Sequence, residues 1–282
     1  MMKGRTVIVF NQENQLASSL HQTMCQWLQE RDYEVISCDS HQYTECEELS
    51  SVSFAISLGG DGTFLACARL LAKKPVPILP VHLGTFGFIT EVTHDEWVDA
   101  LSSWLAGRLG VEERMVLDVV VQRSSRVAAQ FMAVNDAVVG VNGISKIIRL
   151  SLKLGGYEAG VYRGDGLILS TATGSTAYSM AAGGPILAPT MKALVLTPIS
   201  PFSLSWRPMV IPERDEIAIR VGENQRVGVL LTVDGQETFV LKENDQIVLR
   251  GRAGAALVIK SDKRVFYEVV RSKLGWSGSP HD

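Results

Sequence analysis

Along the first third of the chain, short apolar runs alternate with longer stretches in which apolar residues recur at spacings of three and four. The short runs predict strands at residues 6–10, 34–38, 52–58 and 75–81. The longer stretches predict helices at residues 16–28, 64–74 and 97–105. Because strands alternate with helices, we expect parallel strands joined by right-handed crossovers, with ligands at the carboxyl ends of the strands.

Beyond this region the pattern changes to many short strands. They fall at residues 115–121, 130–140, 147–154, 166–170, 193–197, 216–221, 227–233, 246–250 and 255–260. Such regular spacing is typical of an antiparallel sandwich. We therefore expect a Rossmann-like α/β domain over residues 1–100 and a β-sandwich domain over residues 101–261. A last helix at residues 266–274, within a segment 262–275, is expected to complete the α/β domain.

Composition narrows the class of protein. The 282 residues are 46% hydrophobic and 20% charged, with a formal charge of −3, which indicates a soluble globular protein with no electrostatic footprint for nucleic acid. There is no apolar run of about eighteen residues, so no membrane helix is expected. The four cysteines show no C-x-x-C spacing. Reduced thiols in the cytoplasm fit this pattern best.

The segment Ser57-Leu58-Gly59-Gly60-Asp61-Gly62-Thr63 lies between a predicted strand and a predicted helix. Glycine permits a positive φ and lets backbone N–H groups approach a ligand, and the helix N-terminus beyond favours phosphate. A carboxylate here, Asp61, would repel phosphate unless it takes a proton from a hydroxyl or holds a metal ion. The alternative is that Asp61 only caps the helix.

A second concentration of polar residues lies between residues 162 and 185. Six hydroxyl residues and Tyr178 fall between Ser170 and Ser179, just before a predicted helix. Hydroxyls and backbone N–H groups there could bind phosphate or ribose, and the Tyr178 ring could pack on a base. Arg163 and Asp165 could contact a phosphate and a ligand amine, or could form a surface ion pair of little energetic weight.

Two shorter motifs are each compatible with either a structural turn or a ligand-binding role. Asn135-Asp136 follows a predicted strand, where an Asx turn is the ordinary interpretation, although both side chains could bind a ribose or a base edge. Asp234-Gly235-Gln236 follows the predicted strand at 227–233 and is typical of a type I′ hairpin. A site role for it is equally open.

These motifs together resemble the NAD kinase family, over roughly residues 52–240. The matching motifs, in chain order, are Gly59-Gly60-Asp61-Gly62-Thr63, Gly84-x-x-Gly87-Phe88, Asn135-Asp136, Thr173-Gly174-Ser175-Thr176-Ala177-Tyr178-Ser179 with Ala182-Gly183-Gly184-Pro185, and Asp234-Gly235-Gln236. The resemblance implies an N-terminal α/β domain and a C-terminal β-sandwich. It also implies ATP-dependent phosphorylation of the adenosine-ribose 2′-hydroxyl of NAD, with a divalent ion such as Mg²⁺, in a homodimer or homotetramer.

The resemblance carries roles to individual positions. It implies that Asp61 is the general base. The implied NAD contacts are Asp61, Gly62, Phe88, Asn135, Asp136, Lys146, Arg163, Asp165, Thr173, Thr176, Ala177, Tyr178, Ser179, Met180, Ala181 and Gln236. Lys146 could act across a subunit interface. The expected phosphate contacts at the glycine turn are Gly59, Gly60, Gly62 and Thr63. The metal ligands are not identified.

Two other functions are compatible with parts of the pattern. Lipid kinases of the diacylglycerol or sphingosine type also use Gly-Gly-Asp-Gly-Thr, but usually continue with an Asn-Glu pair where this chain has Phe64-Leu65-Ala66. A dinucleotide-binding sensor would keep the pocket without turnover, although binding alone gains little from Asp61 beside phosphates.

Overall fold

The computed structural model describes residues 3–41, 49, 51–84, 87–143, 147–261 and 263–276. The chain divides into two compact units. The first unit comprises Met1–Glu113 and Ala256–Asp282, and the second comprises Arg114–Ala255. Within the described residues, no helix has the length and apolar character needed to cross a membrane.

The first unit is built on a parallel sheet flanked by helices. Its elements up to residue 105 are β1 (Gly4–Phe10), α1 (Gln15–Gln29), β2 (Tyr33–Asp39), β3 (Val52–Leu58), α2 (Asp61–Leu70), β4 (Pro77–His82), β5 (Val92–Thr93) and α3 (Trp97–Leu105). The strand order β2-β1-β3-β4 is parallel throughout, and β5 pairs parallel with β4. Because β3 and β4 are neighbours and parallel, the loops that follow them lie at the same edge of the sheet.

In helix α1, apolar residues predicted to lie on one face pack against the sheet. Its N-cap Asn14 accepts the N–H of Ala17 through its side chain at 3.0 Å, which satisfies one of the first N–H groups of the helix. Met24 and Leu28, one turn apart, are fully buried in the same apolar cluster as Phe54 of β3. Burial of an amphipathic face of this kind is what stabilises a helix of ordinary propensity.

The second unit is a sandwich of two sheets. Its elements are β6 (Val111–Arg123), β7 (Arg126–Ala133), β8 (Asp136–Asn142), β9 (Ile148–Leu154), β10 (Tyr157–Gly164), β11 (Gly166–Thr171), α4 (Tyr178–Ala181), β12 (Ala193–Ile199), β13 (Met209–Pro212), β14 (Ile217–Val221), β15 (Gly228–Val233), β16 (Glu237–Leu241) and β17 (Gln246–Ile259). One sheet contains β10-β9-β14-β17 with β6 and β7, and the other has the order β13-β12-β11-β8-β15-β16. Leu117, Leu150 and Tyr162 of the first sheet share one fully buried core with Leu169 and Leu231 of the second.

Several predicted strands differ from the observed ones. The run predicted at 130–140 is two strands, β7 and β8, because the chain turns at Val134–Asn135. The runs predicted at 246–250 and 255–260 form one strand, β17. Strand β10 was not predicted, because it is an edge strand in which six of eight residues are exposed, so it lacks an apolar alternation.

The last segment of the chain returns to the first unit. There the end of β17 pairs parallel with β4 through Leu257 and Val258, and α5 (Phe266–Leu274) follows at the predicted position. The predicted fold class, α/β followed by a β-sandwich, is confirmed. The sequence placed the change of pattern near residue 100, whereas the two compact units separate between Glu113 and Arg114, inside β6.

An ion pair joins Arg264, in the last segment of the chain, to Glu96, the N-cap residue of α3. Arg264 donates to the Glu96 carboxylate at 2.7 and 3.2 Å and to the carbonyl oxygen of Glu91 at 2.8 Å. The side chains of Glu96 and Arg264 are only 19% and 23% exposed. Hydrogen bonding from Arg264 is the main cause that lowers the pKa of Glu96 from 4.5 to about 2.

This pair predicts an acid-sensitive contribution to stability. Because the folded pKa lies below the unfolded value of 4.5, the pair stabilises at higher pH, and its contribution is lost as the pH falls from 4.5 towards 2. We expect Glu96→Gln to lower the free energy of unfolding by on the order of 2 kcal/mol at pH 7 and by almost nothing at pH 2. Urea unfolding across this pH range measures the difference. Glu13→Gln, at an exposed glutamate, is the control, and an equal loss at both pH values would contradict the expectation.

Candidate functional site

The glycine turn joins β3 to α2 and packs closely against its own helix. The N–H of Gly59 donates to the carbonyl oxygen of Val81 at 2.8 Å, which ties the turn to β4. A Cβ on Gly59 would lie 2.2 Å from Thr63 Oγ1, so a larger residue does not fit without a shift. Neither Gly59 nor Gly60 has a positive φ. The expected left-handed backbone is therefore wrong at these two positions, and close packing is the reason for glycine at 59.

The side chain of Asp61 does not cap helix α2. Gly60 is the N-cap residue, Asp61 is the first residue of the helix, and no side-chain hydrogen bond caps this end. The interpretation of Asp61 as a cap is thus wrong. Its carboxylate binds the loop after β4 instead. Oδ2 accepts the N–H of Phe88 at 2.8 Å, and Oδ1 accepts the N–H groups of Ile89 at 3.2 Å and Thr90 at 3.0 Å.

A residue that sequence reasoning missed completes this arrangement. Thr90 is fully buried, and its hydroxyl donates to Asp61 Oδ1 at 2.9 Å while it accepts the N–H of Gly87 at 3.2 Å. A Cβ on Gly87 would lie 1.8 Å from Asp61 Oδ1, so the close approach of the loop requires glycine. The available signal was a threonine directly after the second glycine loop.

The two carboxylate oxygens of Asp61 are used unequally. Oδ1 accepts three hydrogen bonds from the loop and Oδ2 accepts one. Because a carboxylate offers about four lone-pair positions, two on each oxygen, Oδ2 retains the capacity to accept a further hydrogen bond. Asp61 is partly exposed. The carboxylate is therefore held in one orientation with one oxygen able to meet a hydroxyl.

The neighbouring Phe88 is half-buried. The Nζ atom of Lys273, on α5, lies 5.3 Å from the centroid of its ring. That distance is within the range of a cation–π contact. The C-terminal helix therefore contacts the loop that holds Asp61, and one face of the Phe88 ring has a partner already.

In the second unit, Asp234 organises the Asn135-Asp136 turn. Its carboxylate accepts the N–H groups of Val134, Asn135 and Asp136 at 3.0, 2.8 and 3.1 Å. Asp234 and Gly235 have φ angles of 50° and 66° between β15 and β16, as a type I′ hairpin turn requires. The motif therefore forms the predicted hairpin, and its side chain also positions the neighbouring turn.

Polar atoms that lack a partner cluster around this turn. Asn135 Oδ1, Ser170 Oγ and Thr173 Oγ1 are buried and have no hydrogen-bond partner among the described residues. Ser170 pairs with Asp136 in the β11–β8 ladder, and the N–H of Thr171 donates to the carbonyl oxygen of Asn135 at 2.8 Å. Buried polar atoms are almost always hydrogen-bonded in folded proteins. Three such atoms in neighbouring segments make this turn a candidate for binding a polar ligand.

Most of the other hydroxyls in the run from 170 to 179 serve the fold. Ser175 Oγ donates to the carbonyl oxygen of Ala172 at 2.7 Å and accepts the N–H of Leu187 at 2.9 Å, and Ser179 Oγ lies 2.7 Å from Thr197 Oγ1. Thr176 Oγ1 donates to the carbonyl oxygen of Thr173 at 3.3 Å. The predicted helix is only a 3-10 turn at Thr173–Thr176 followed by the four residues of α4. Both are too short to carry an appreciable helix dipole.

The remaining predicted residues are distributed as follows. Tyr178 is 48% exposed, Ala177 and Met180 are half-buried, and Ala181 is exposed. Arg163 and Gln236 are exposed and Asp165 is half-buried. Among the described residues Arg163 and Asp165 do not form an ion pair, so that alternative is not supported. Lys146 lies outside the described residues.

The buried carboxyl of Asp136 has an unusual proton affinity. Burial, and secondarily the charge of Asp234, raise the pKa of Asp136 from 3.8 to about 7. This carboxyl can therefore carry a proton at physiological pH and donate a hydrogen bond. Within the part of the chain that the structure describes, no three His, Cys, Asp or Glu side chains are grouped to bind a metal ion.

Comparisons with known proteins agree on one family. Two family models match, the ATP-NAD kinase N-terminal domain over residues 11–109 and the ATP-NAD kinase C-terminal domain over residues 134–261. The NAD kinase of Treponema denticola is 44% identical over 225 residues, which are 80% of this chain and 79% of the relative. The NAD kinase of Syntrophobacter fumaroxidans is 38% identical over 278 residues, or 95% of this chain and 97% of the relative.

Two solved structures share the fold. Yeast NADH kinase complexed with NADH superposes with a TM-score of 0.89 at 23% identity, over 98% of this chain and 88% of that one. An NAD kinase from Archaeoglobus fulgidus in complex with ATP gives a TM-score of 0.76 at 24% identity, over 97% of this chain and 100% of that one. At these identities the likeness concerns the fold alone.

The contact between Gly87 and Asp61 predicts a sharp steric effect. We expect Gly87→Ala to lower the free energy of unfolding by about 1–3 kcal/mol, because the new Cβ displaces the loop from the carboxylate. In an Asp61→Ala background the same change is expected to have little effect, since the clash is absent. Chemical unfolding of the four proteins measures this coupling. Gly84→Ala, where a Cβ meets nothing within 4 Å, is the control; equal losses in both backgrounds would refute the contact.

The Asp136 environment predicts a pH-dependent destabilisation. Because the folded pKa of about 7 lies above the unfolded value of 3.8, wild-type stability falls as the pH rises from 3.8 through 7. We expect Asp136→Asn to be more stable than the wild type by on the order of 2–4 kcal/mol at pH 8 and equally stable at pH 4. Thermal unfolding at both pH values is the measurement, with Asp95→Asn at an exposed site as the control. If Asp136→Asn were less stable than the wild type at pH 8, the fold would favour the charged form of the Asp136 carboxyl, which would contradict this expectation.

Proposed function

This chain belongs to the NAD kinase family and is an ATP-dependent NAD kinase, and we propose that Asp61 is its general base. In this proposal the γ-phosphoryl group of ATP passes to the 2′-hydroxyl of the adenosine ribose of NAD, and NADP and ADP are formed. The observation that carries it is the fixed carboxylate of Asp61, with Oδ2 able to accept one more hydrogen bond.

The proposed step uses that oxygen directly. As the ribose 2′ oxygen bonds to the γ-phosphorus, the bond from phosphorus to the leaving oxygen of ADP breaks, and the hydroxyl proton passes to Asp61 Oδ2. Phosphoryl transfer has a loose transition state, so the enzyme contributes positioning more than strong basicity. The donors from Phe88 to Thr90 supply this positioning, because they fix the carboxylate plane before the substrate arrives.

The proposed substrate contacts follow the two groups of polar residues. Gly59, Gly60, Gly62 and Thr63, at the start of α2, are proposed to bind phosphate at a helix N-terminus. The buried Asn135 Oδ1 and Thr173 Oγ1 are proposed to hydrogen-bond NAD, which would give these atoms the partners that they lack. The other proposed NAD contacts are Gly62, Phe88, Asp136, Lys146, Arg163, Asp165, Thr176, Ala177, Tyr178, Ser179, Met180, Ala181 and Gln236.

We propose that the divalent ion, Mg²⁺, is carried mainly by the phosphates of ATP. No metal cage is formed within the described residues, and the Asp61 carboxylate is already engaged by the loop. Mg²⁺ commonly keeps several waters and binds substrate phosphates with one or two carboxylates at most. When bound, the ion offsets charge on the transferring group.

We also propose a cytoplasmic homodimer or homotetramer. Among the described residues, Cys25 and Cys67 are free thiols, which is compatible with a reducing compartment. Strand β10 is an edge strand that exposes Tyr157 and Val161, at 81% and 57% exposure, and an open apolar edge of this kind favours association. No observation favours a lipid kinase or a sensor over this assignment.

The decisive experiment compares Asp61→Asn with the wild type. We expect kcat for NADP formation, measured with NAD, ATP and magnesium, to fall by about two to four orders of magnitude, because the amide cannot take the proton. Calorimetry is expected to show NAD binding within a few-fold of wild type. Asp99→Asn, on the surface of α3, is the control. Full activity of Asp61→Asn would rule out the proposed base, and NAD binding without turnover in the wild type would support the sensor.

A further inference from the structure

The last segment of the chain reaches the loop that holds Asp61. The end of β17 runs parallel to β4, with Val258 opposite Ile78. Because parallel strands end at the same edge of a sheet, the chain leaves β17 at the edge where the loop after β4 lies. Arg264 follows shortly after the end of β17, so the fold brings its side chain to that loop.

The guanidinium group of Arg264 contacts both a backbone carbonyl and a carboxylate. Nη1 donates to the carbonyl oxygen of Glu91 at 2.8 Å and to Glu96 Oε2 at 2.7 Å, and Nη2 donates to Glu96 Oε1 at 3.2 Å. Glu91 directly follows Thr90, whose N–H and hydroxyl both donate to Asp61 Oδ1. Arg264 therefore holds the backbone one residue beyond the residue that donates twice to the Asp61 carboxylate.

Glu96 fixes the orientation of this guanidinium group. The planar fork of arginine pairs with both oxygens of a carboxylate, so the direction of the remaining donor is set by geometry. The Glu96 carboxylate also accepts the N–H of Thr93 in β5 at 3.1 Å, which ties the acid to the strand that follows the loop. Lys263 Nζ lies 3.4 Å from Glu96 Oε1, so the acid keeps a cationic partner when Arg264 is replaced.

A second side chain of the same segment contacts the other end of the donor group. Phe88 and Thr90 are the first and last of three consecutive residues whose N–H groups donate to Asp61. Lys273 Nζ of α5 lies 5.3 Å from the centroid of the Phe88 ring. The segment after β17 thus contacts the first of these residues through Lys273 and the residue after the last of them through Arg264.

We propose that Arg264 is a positioning residue for phosphoryl transfer, because by holding the loop after β4 it fixes the orientation of the Asp61 carboxylate. The proposal rests on the proposed role of Asp61 as general base. Arg264 acts through the backbone of Thr90 and Glu91. A displacement of a reacting group by about 1 Å can lower a rate by about a hundredfold. The loss of Arg264 should therefore lower kcat more than it changes the KM values of the substrates.

The test compares Arg264→Gln with Arg5→Gln in the intact chain. Arg5 pairs with Glu34 at 2.6 Å between the starts of β1 and β2, at the opposite edge of the same sheet, so its variant shows what losing an ion pair does by itself. At a temperature where circular dichroism shows both variants folded, we expect kcat for NADP formation to fall by about ten- to a hundredfold in Arg264→Gln, with both KM values within about threefold of wild type. The kcat of Arg5→Gln is expected to stay within about twofold of wild type.

Hydrogen exchange gives a readout that does not depend on turnover. The peptide that spans residues 87–91 contains the three N–H groups that bind Asp61. Mass spectrometry is expected to show these amides exchanging about tenfold or more faster in Arg264→Gln, and at the wild-type rate in Arg5→Gln, because only the first variant frees the loop. In an Asp61→Asn background, Arg264→Gln is expected to change kcat by less than about threefold, since the group that it positions is gone.

The outcomes separate this proposal from the assignment of the base. Wild-type kcat or wild-type amide exchange in Arg264→Gln would overturn the positioning role and leave Asp61 as the base. An equal fall of kcat in Arg5→Gln would also overturn it, because the loss of any ion pair would then suffice. Full activity of Asp61→Asn, which is measured without changing Arg264, would instead overturn the base and the positioning role together.

Discussion

The arrangement of the two glycine loops in the first unit depends on the hydrogen bonds that the Asp61 carboxylate accepts. Asp61 stands at the junction of β3 and α2, where a charged side chain needs hydrogen-bond partners, and it finds them in the loop that follows β4. This meeting is possible because β3 and β4 are adjacent and parallel, so that both loops leave the same edge of the sheet. The two glycine loops are therefore joined by hydrogen bonds from the backbone N–H groups of the second loop to the Asp61 carboxylate of the first. This contact leaves no room for a Cβ at position 87, so that position requires glycine.

In the second unit an aspartate also binds the backbone of a neighbouring turn, but its role is different. Asp234 also collects three backbone N–H groups from a neighbouring turn. Asp234 is only 8% exposed, whereas Asp61 is partly exposed, so Asp234 is suited to position Asn135 and Asp136 rather than to meet a substrate. Its charge also contributes to the raised pKa of Asp136. A carboxylate that accepts several backbone N–H groups is thus a proposed base in one unit and a positioning residue in the other.

Composition is a poor guide to which polar residues face a ligand. The run from Ser170 to Ser179 is rich in hydroxyls, yet Ser175 and Ser179 are bonded within the protein and only Ser170 and Thr173 keep a buried hydroxyl without a partner. Strand register shows the opposite case, because Arg149 and Arg163 lie fourteen positions apart in the sequence and yet face each other across the β9–β10 ladder.

The sequence by itself determined the fold class and the elements whose apolar periodicity is strong, such as α1, β3 and α5, together with the glycine turn, the hairpin at Asp234 and the family. Its signals are local, since period, turn residues and motif spacing are properties of neighbouring positions. Only the tertiary structure decided that Asp61 binds residues 27 to 29 positions away rather than capping its helix, that Thr90 takes part, and that exposed β10 is a strand at all. These features depend on which strands become neighbours. Hydrogen-bond partners that lie so far apart along the chain produce no periodic pattern in the sequence.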